Sequence, residues 1–147
     1  MKNLILLACI LGLSIAGTAQ QKLASKGLTP EEKLNNDYCS GLFNSTPGTI
    51  IDLSANSSAS SYVNILDWLD GRVAGLKVYK NRAGNRIPLI RGQQAAIYVD
   101  ESLVNSSYLN ALPVNDIAMI KVIKTPFIES PGNSGAIAIY TYKAEDE

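Results

Sequence analysis

The stretch SYVNILDWLDGRVAGLKVY, residues 61–79, decides the fold because it predicts one helix followed directly by one strand. Four of its apolar residues have the spacing of one helical face: Val63, Leu66, Leu69 and Val73. Ser61 is a candidate N-cap, and the helix is expected to end between Gly71 and Gly75. Residues 76–79 then alternate apolar and polar side chains, which is the pattern of a strand.

The chain beyond residue 79 adds strands separated by turns. Further strands are predicted at 87–90, 95–99, 119–124 and 136–142. Pro88 has no amide hydrogen, so it is expected at a sheet edge or a bulge. Residues 106–112 predict a helical turn, and Asn115 or Asp116 is expected to cap another. This order predicts one α+β domain rather than a sandwich or a doubly wound sheet. The predicted core is Leu66, Leu69, Val73, Leu76, Val78, Ile97, Val99, Ile117, Ile120, Val122, Ile137 and Ile139.

The N-terminus has the order of residues found in a secretory signal peptide. A lysine at position 2 precedes an apolar run over residues 4–16, and small residues lead up to Ala19. The run is shorter than the roughly 20 residues that span a membrane, and a lipoprotein site at Cys9 would leave too short an apolar core. We therefore expect residues 1–19 to be removed on export.

Residues 20–61 predict a polar leader with a short helix. Thr29, Pro30 and Glu32 form a helix start, in which the threonine caps, the proline occupies the first turn and the glutamate bonds back to the cap. The helix is expected to end near Cys39. From there to residue 61 the chain is rich in Ser, Asn, Gly and Thr, which favours a loose loop with at most one short extended piece.

The counts of reactive residues exclude most hydrolase and metal chemistry. The chain has no histidine, which excludes Ser-His-Asp and Cys-His nucleophiles and histidine metal sites. Without Cys9, Cys39 is a single cysteine that is buried, capped by another molecule or a free thiol. The 13 basic residues balance the 13 acidic ones, so no general attraction to nucleic acid or anionic lipid is expected. We expect no enzymatic activity, no cofactor and no metal.

Five short motifs follow one another between residues 62 and 143. They are LDGRVAGLKVY at 69–79, IRG at 90–92, YVDE at 98–101, LPVNDIAMIKVIK at 112–124 and SGAIAIYTYK at 134–143. In this order and spacing they resemble the plug domain of TonB-dependent outer-membrane receptors, in particular the SusC-like group of Bacteroidetes. The resemblance implies a small α+β plug-type domain with a mixed β-sheet at 62–143. In that family the plug lies inside a barrel and gates substrate passage.

The sequence departs from the family pattern in three places. Only the tail, residues 144–147, follows the last predicted strand, so we expect a stand-alone plug-like domain without the barrel. Glu101 replaces a family glycine, which predicts a different local turn because a residue with a Cβ is disfavoured at positive φ. The segment ESPGNSGA, residues 129–136, lacks the arginine and tyrosine that the family often has there. No transducer-binding box is recognisable in residues 20–61.

The resemblance also assigns candidate partner contacts. The residues that carry the family motifs are Gly71, Arg72, Gly75, Arg91, Gly92, Asp100, Asp116 and Gly135. Asp100 and Glu101 are consecutive on an extended chain, so they face opposite sides and are not expected to form an acid/base pair. Arg91 is expected to pair with Asp100 or to be presented to a partner. The basic segment 77–91 predicts the solvated faces of a hairpin, or a patch for an acidic partner or glycan.

These observations favour an exported, non-enzymatic plug-like domain, periplasmic or attached to the outer membrane of a Gram-negative cell. Its expected role is that of a protein-binding or accessory module of an outer-membrane receptor or transport system. The expected partner is a receptor barrel, or a second copy of the chain through an exposed strand edge. The alternatives are a truncated receptor remnant and a periplasmic carbohydrate- or peptide-binding protein.

Overall fold

A computed structural model describes residues 27–128, 130 and 134–143, so the predicted signal peptide and the tail lie outside the described residues. The described chain is α+β. Its helices are α1 (Pro30–Tyr38), α2 (Gly41–Ser45) and α3 (Ile65–Leu69), with 3-10 turns at Ser57–Ser61, Tyr108–Asn110 and Val114–Asp116. Its strands are β1 (Thr49–Asp52), β2 (Leu76–Lys80), β3 (Arg86–Ile90), β4 (Gln93–Gln94), β5 (Ala96–Val99), β6 (Ser102–Val104), β7 (Ile117–Ile123) and β8 (Ala136–Thr141). Among these elements no helix has the length and apolar character needed to cross a membrane.

The strands form two sheets. The larger sheet has the order β1-β7-β8-β5-β6, in which β5 and β8 are parallel and the other neighbours antiparallel. It is therefore mixed, as the resemblance implied. The smaller sheet, β2-β3-β4, is antiparallel. All five predicted strands are confirmed within a few residues, whereas β4 and β6 were not predicted.

Side chains alternate along each strand, so they point to both faces of the larger sheet. Both faces are covered by other parts of the chain. One face packs against α3 and the smaller sheet. The twelve residues of the predicted core all lie in this cluster, with Val78 only partly buried at its margin. The other face carries Tyr98, Met119, Ala138 and Tyr140, and it packs against Phe43 of α2. This second cluster was not predicted.

The described part of the polar leader is ordered and contributes to the second face. Thr29 caps α1 as predicted, because its hydroxyl accepts from the Glu32 amide and the Glu32 carboxylate accepts from the Thr29 amide. Phe43 is only 4% exposed, and β1 extends the larger sheet by pairing with β7. The one short extended piece that the sequence allowed is present as β1. The prediction that the rest of residues 40–61 forms a loose loop is wrong, because it contains α2 and a buried Phe43. Cys39, Phe43 and Ile50 pack on the second face of the sheet, whereas Leu53 packs in the first cluster.

The helix predicted from Ser61 is shorter than expected and begins at Ile65. Asn64 is fully buried and caps it by accepting from the Leu66 amide at 2.9 Å, so Val63 falls outside the helix and is 84% exposed. The helix ends where Gly71 adopts a φ of +75°. A helical stripe does not by itself identify which residue caps it.

Two further local predictions are wrong. Pro88 was expected at a sheet edge or a bulge, but it lies in β3, the central strand of the smaller sheet. No amide is required of the proline there, because β4 pairs only with Leu89 and Ile90 and the Pro88 carbonyl accepts from the Ala95 amide. The 3-10 turn at Val114–Asp116 starts after Pro113 and has no side-chain cap from either Asn115 or Asp116.

Candidate functional site

Asp100 and Glu101 form a two-residue turn between β5 and β6. Val99 lies opposite Ser102, and the two central residues have φ values of +47° and +64°. Two consecutive positive φ values are typical of the type I′ hairpin turn, which favours Asp or Asn followed by Gly. The expectation of a different local turn is therefore wrong. The tight turn is kept, with a glutamate in the position that favours glycine.

The Glu101 carboxylate is held by contacts with distant parts of the chain. It accepts from the main-chain amide of Ser40 at 2.6 Å and from the Ser40 hydroxyl. It also accepts from the Tyr140 hydroxyl at 3.3 Å. A glycine would make none of these contacts, so the strained turn connects the β5–β6 hairpin to the start of α2 and to β8.

The Asp100 carboxylate is also bonded within the chain. It accepts from the Thr141 amide and from the Thr141 hydroxyl, each at 2.9 Å. The predicted pair with Arg91 does not form, because β3 and β5 belong to different sheets. In the described ranges the ion pairs are those of Asp67 with Lys80 and Arg86. Both carboxylates of the turn thus accept hydrogen bonds from other parts of the chain.

Arg91 and Gly92 form a second turn of the same kind. Ile90 lies opposite Gln93, and the two turn residues have φ values of +52° and +83°. The Arg91 amide donates to the Gly75 carbonyl at 2.9 Å, which brings two of the family motifs together.

Arg72 stacks on aromatic side chains next to α3. Its guanidinium carbon lies 4.6 Å from the centre of the Trp68 ring and 5.7 Å from that of Tyr62. It also donates to the Trp68 carbonyl. Cation–π contacts of this kind stabilise local structure, so the arginine of this motif has a structural role here.

The basic segment 77–91 is partly neutralised. Arg86 donates to the Asp67 carboxylate at 2.6 Å, and Lys80 lies 3.2 Å from its second oxygen. The hydrogen bond from Arg86 lowers the pKa of Asp67, with a smaller contribution from Lys80. This geometry supports a hairpin attached to α3 rather than a free cationic patch.

Gly135 and Asp116 are two further residues of the motifs. A Cβ on Gly135 would be 2.6 Å from the Ile123 carbonyl oxygen, so glycine is required by close packing. The Asp116 carbonyl accepts from the Tyr142 amide at 3.0 Å. The eight family-motif residues are therefore distributed over several turns and strand ends and do not surround one pocket.

A buried lysine was missed by sequence reasoning. Lys121 lies in β7, is 2% exposed, and donates to Asn35 Oδ1 at 2.6 Å and to the Phe43 carbonyl at 2.5 Å. Burial lowers its pKa. The available signal was a single lysine within the apolar run MIKVI. It connects the sheet to α1 and α2.

Cys39 lies in the second cluster. It is buried, which is the first of the three states that the sequence left open. Its side chain is 6% exposed, and burial raises the pKa of the thiol. Burial and a hydrogen bond with Cys39 also raise the pKa of Tyr140. Within the described residues no group of three His, Cys, Asp or Glu side chains is arranged to hold a metal ion.

Two cavities lie beside the β5–β6 hairpin. One of about 370 Å³ adjoins the Glu101 turn and is lined by Tyr38, Ser40, Asp100, Glu101, Tyr140, Thr141, Tyr142 and Lys143. The other, of about 590 Å³, lies between the two sheets and is lined by Pro88, Gln94, Ala95, Ala96, Ile97, Leu103, Val104, Asn105 and Ser106.

Solved structures of a peptide importer contain a segment with this fold. The chain is similar to part of the RagAB peptide importer in its closed-closed state, with a TM-score of 0.55 and 20% identity over 67% of this chain. The open-open state of the same importer gives a TM-score of 0.53 and 20% identity over 66% of this chain. In both cases the likeness spans only 12% of the importer chain. At this identity it establishes a shared fold.

Comparison with protein-family models gives no match, and comparison with curated protein sequences gives none either.

Proposed function

We propose that this chain is a plug-like, non-enzymatic domain that binds protein as an accessory module of an outer-membrane transport system. The observation that carries the proposal is the fold shared with a segment of a peptide importer. The five motifs between residues 62 and 143 support it, because their order and spacing resemble the plug domains of SusC-like receptors.

The engagement of the polar groups supports a binding role over catalysis. Asp100 and Glu101 are occupied by Thr141, Ser40 and Tyr140. Lys121 is enclosed by main-chain and amide acceptors. These groups hold elements together, and a general acid or base needs access to a substrate proton.

The proposed location is the periplasmic side of the outer membrane, after export through the predicted signal peptide. The partner is an outer-membrane receptor component of the importer type. On this proposal the domain acts through its surface, and the exposed turns at Arg91–Gly92 and around Arg72 are available to that partner.

Co-purification tests the proposal. The full chain with a C-terminal tag is expressed in a Gram-negative host that encodes it, and outer membranes are solubilised in mild detergent. We expect an outer-membrane transport protein to be retained in a fixed ratio to the tagged chain. An Arg91→Ala variant is expected to retain less of it, and Lys77→Ala, which removes another exposed cation, serves as the control.

Recovery of the chain as a free monomer would contradict the accessory role and favour a receptor remnant. Retention of a homodimer alone would replace the receptor partner by a second copy. Cross-linking in intact cells before solubilisation guards against losing a complex in detergent.

A further inference from the structure

Strand β6 is an edge of the larger sheet with outward-facing main-chain groups. Its register pairs Ser102 with Val99 and Val104 with Ile97. In a two-residue hairpin the residues that flank the turn exchange hydrogen bonds, so the amide and carbonyl of Leu103 point away from β5. The Asp100 amide bonds to β8, which confirms that the odd-numbered residues of β5 face β6.

Strand β4 ends the smaller sheet in the same way. The Ala95 amide donates to the Pro88 carbonyl, and Ile90 pairs with Gln93 across the turn. Gln94, which lies between these two bonded positions, therefore directs its amide and carbonyl away from β3. Among the described residues neither edge is paired further, so both sheets present outward main-chain groups here.

The two edges border the same cavity. Gln94 of β4 and Leu103 of β6 both line the space of about 590 Å³ between the sheets. All nine lining residues are uncharged, and Pro88, Ile97 and Val104 supply an apolar wall. Leu103 is 56% exposed, although it is an apolar residue in a strand. A charged segment would lose hydration here with no opposite charge to compensate.

The edge of β6 is only three residues long, but it carries no charge, proline or bulge. Natural edge strands carry charges, prolines or bulges that prevent pairing with other chains. Strand β6 reads Ser-Leu-Val and has none of these. The opposite edge, β1, differs, because Asp52 is charged and its carbonyl already accepts from the Asn56 side chain at 2.6 Å.

We propose that β6 is a docking edge for an extended, uncharged segment of a partner protein, which pairs with Leu103 and places an apolar side chain in the cavity. The proposal rests on the proposed function in that it identifies where a protein partner binds. An added strand would lie about 4.8 Å from β6, with its amide and carbonyl bonded to Leu103. The main-chain bonds supply affinity, and the cavity selects neutral, apolar side chains.

A peptide titration tests this edge without the physiological partner. The probe is the hexapeptide Thr-Val-Thr-Val-Thr-Val, acetylated and amidated, added to the isotope-labelled full chain. We expect saturable amide shifts centred on Leu103 and Gln94, and slower hydrogen exchange at the Leu103 amide. The same peptide with its central amides N-methylated cannot pair as a strand and is expected not to bind.

Two variants distinguish main-chain pairing from contact with the side chain. Leu103→Pro removes an outward amide that the fold does not use, and it is expected to weaken binding about three- to tenfold, whereas Leu103→Ala keeps the amide and is expected to bind better than the proline variant. Gln94→Trp fills the cavity and is also expected to weaken binding. Unchanged circular dichroism establishes that each variant is folded.

Several results would overturn the inference. They are the absence of saturable shifts, equal binding by Leu103→Pro and the wild type, and a Leu103 amide that is protected before peptide is added. Protection that grows with protein concentration alone would assign the edge to a second copy. Peptide binding without any membrane partner in the co-purification would retain the docking edge and remove the proposed transport role.

Discussion

The Glu101 carboxylate accepts a 2.6 Å hydrogen bond from the main-chain amide of Ser40, which lies 61 residues earlier in the chain. It does so from a backbone position with a φ of +64°, where glycine is favoured. The turn of a hairpin in the larger sheet is thereby attached to the segment between α1 and α2. A local strain and a long-range contact are properties of the same residue.

Replacing Glu101 separates these two effects. Glu101→Ala loses the contacts and keeps the strain, so it is expected to lower the free energy of unfolding by about 2 kcal/mol. Glu101→Gly also relieves a backbone penalty of roughly 1 kcal/mol, so it is expected to be the milder of the two changes. Urea unfolding measures both. Equal stability of the two variants would show that the turn is not strained.

Gly135→Ala is expected to destabilise the chain by about 2 kcal/mol or more, because the new methyl group would lie 2.6 Å from the Ile123 carbonyl oxygen. Gly71→Ala is the matched control. Gly71 has a φ of +75° and open space around it, so its variant reports backbone strain alone, roughly 1 kcal/mol. Thermal unfolding of the two variants compares these costs, and a smaller effect at Gly135 would contradict the close packing.

Lys121 makes stability depend on pH at the alkaline end. Its pKa in the folded chain lies below the ordinary value of 10.5, so the unfolded chain binds more protons between the two values. The free energy of unfolding therefore rises as the pH is raised towards 10.5. Relative to Lys121→Met, the wild type is expected to gain stability as the pH is raised towards 10.5, measured by urea titrations at a series of pH values. Parallel stability profiles of the two proteins would contradict the lowered pKa of Lys121, and Lys77→Met is the exposed control.

Asp67 makes stability depend on pH at the acid end. The Arg86 guanidinium holds its pKa below the ordinary 3.8, so its contribution is complete above 3.8 and is lost as the pH falls through the folded value. Because the carboxylate is partly solvated, the contribution is expected to be at most about 1 kcal/mol. Asp67→Asn should be less stable than the wild type at pH 6, and the difference should shrink as the pH falls below 3.8. A difference that does not shrink at acid pH would mean that packing, not charge, is responsible.

The strands and one of the two core clusters were predictable because their signals are local. The almost continuous apolar runs of β7 and β8 and the helical stripe of Leu66 and Leu69 are local signals of burial. The second cluster was not predicted, because Phe43 and Cys39 stand in a polar, loop-like segment. Their burial depends on which face of the sheet remains uncovered, and this is a property of the assembled fold.

Some of the candidate partner contacts were predictable from the sequence, and others were not. The motifs located Arg91, Gly92, Asp100 and Gly135 at turns and strand ends, where the structure has them. The pairing of Arg91 with Asp100 failed, since adjacent strands in the sequence entered different sheets. The edge of β6 and its cavity were not predictable, because three residues give too weak a periodicity and a cavity has no sequence pattern.

The sequence by itself determined an α+β domain, the strands of its central sheet, the cap at Thr29 and the absence of histidine chemistry, because these depend on residue type and local spacing. Only the tertiary structure decided that the leader covers the second face of the sheet, that Glu101 bonds to Ser40, and that Lys121 is buried among neutral acceptors. Each of these depends on groups that are brought together by chain folding across many residues. No pattern of neighbouring residues in the sequence predicts these long-range contacts.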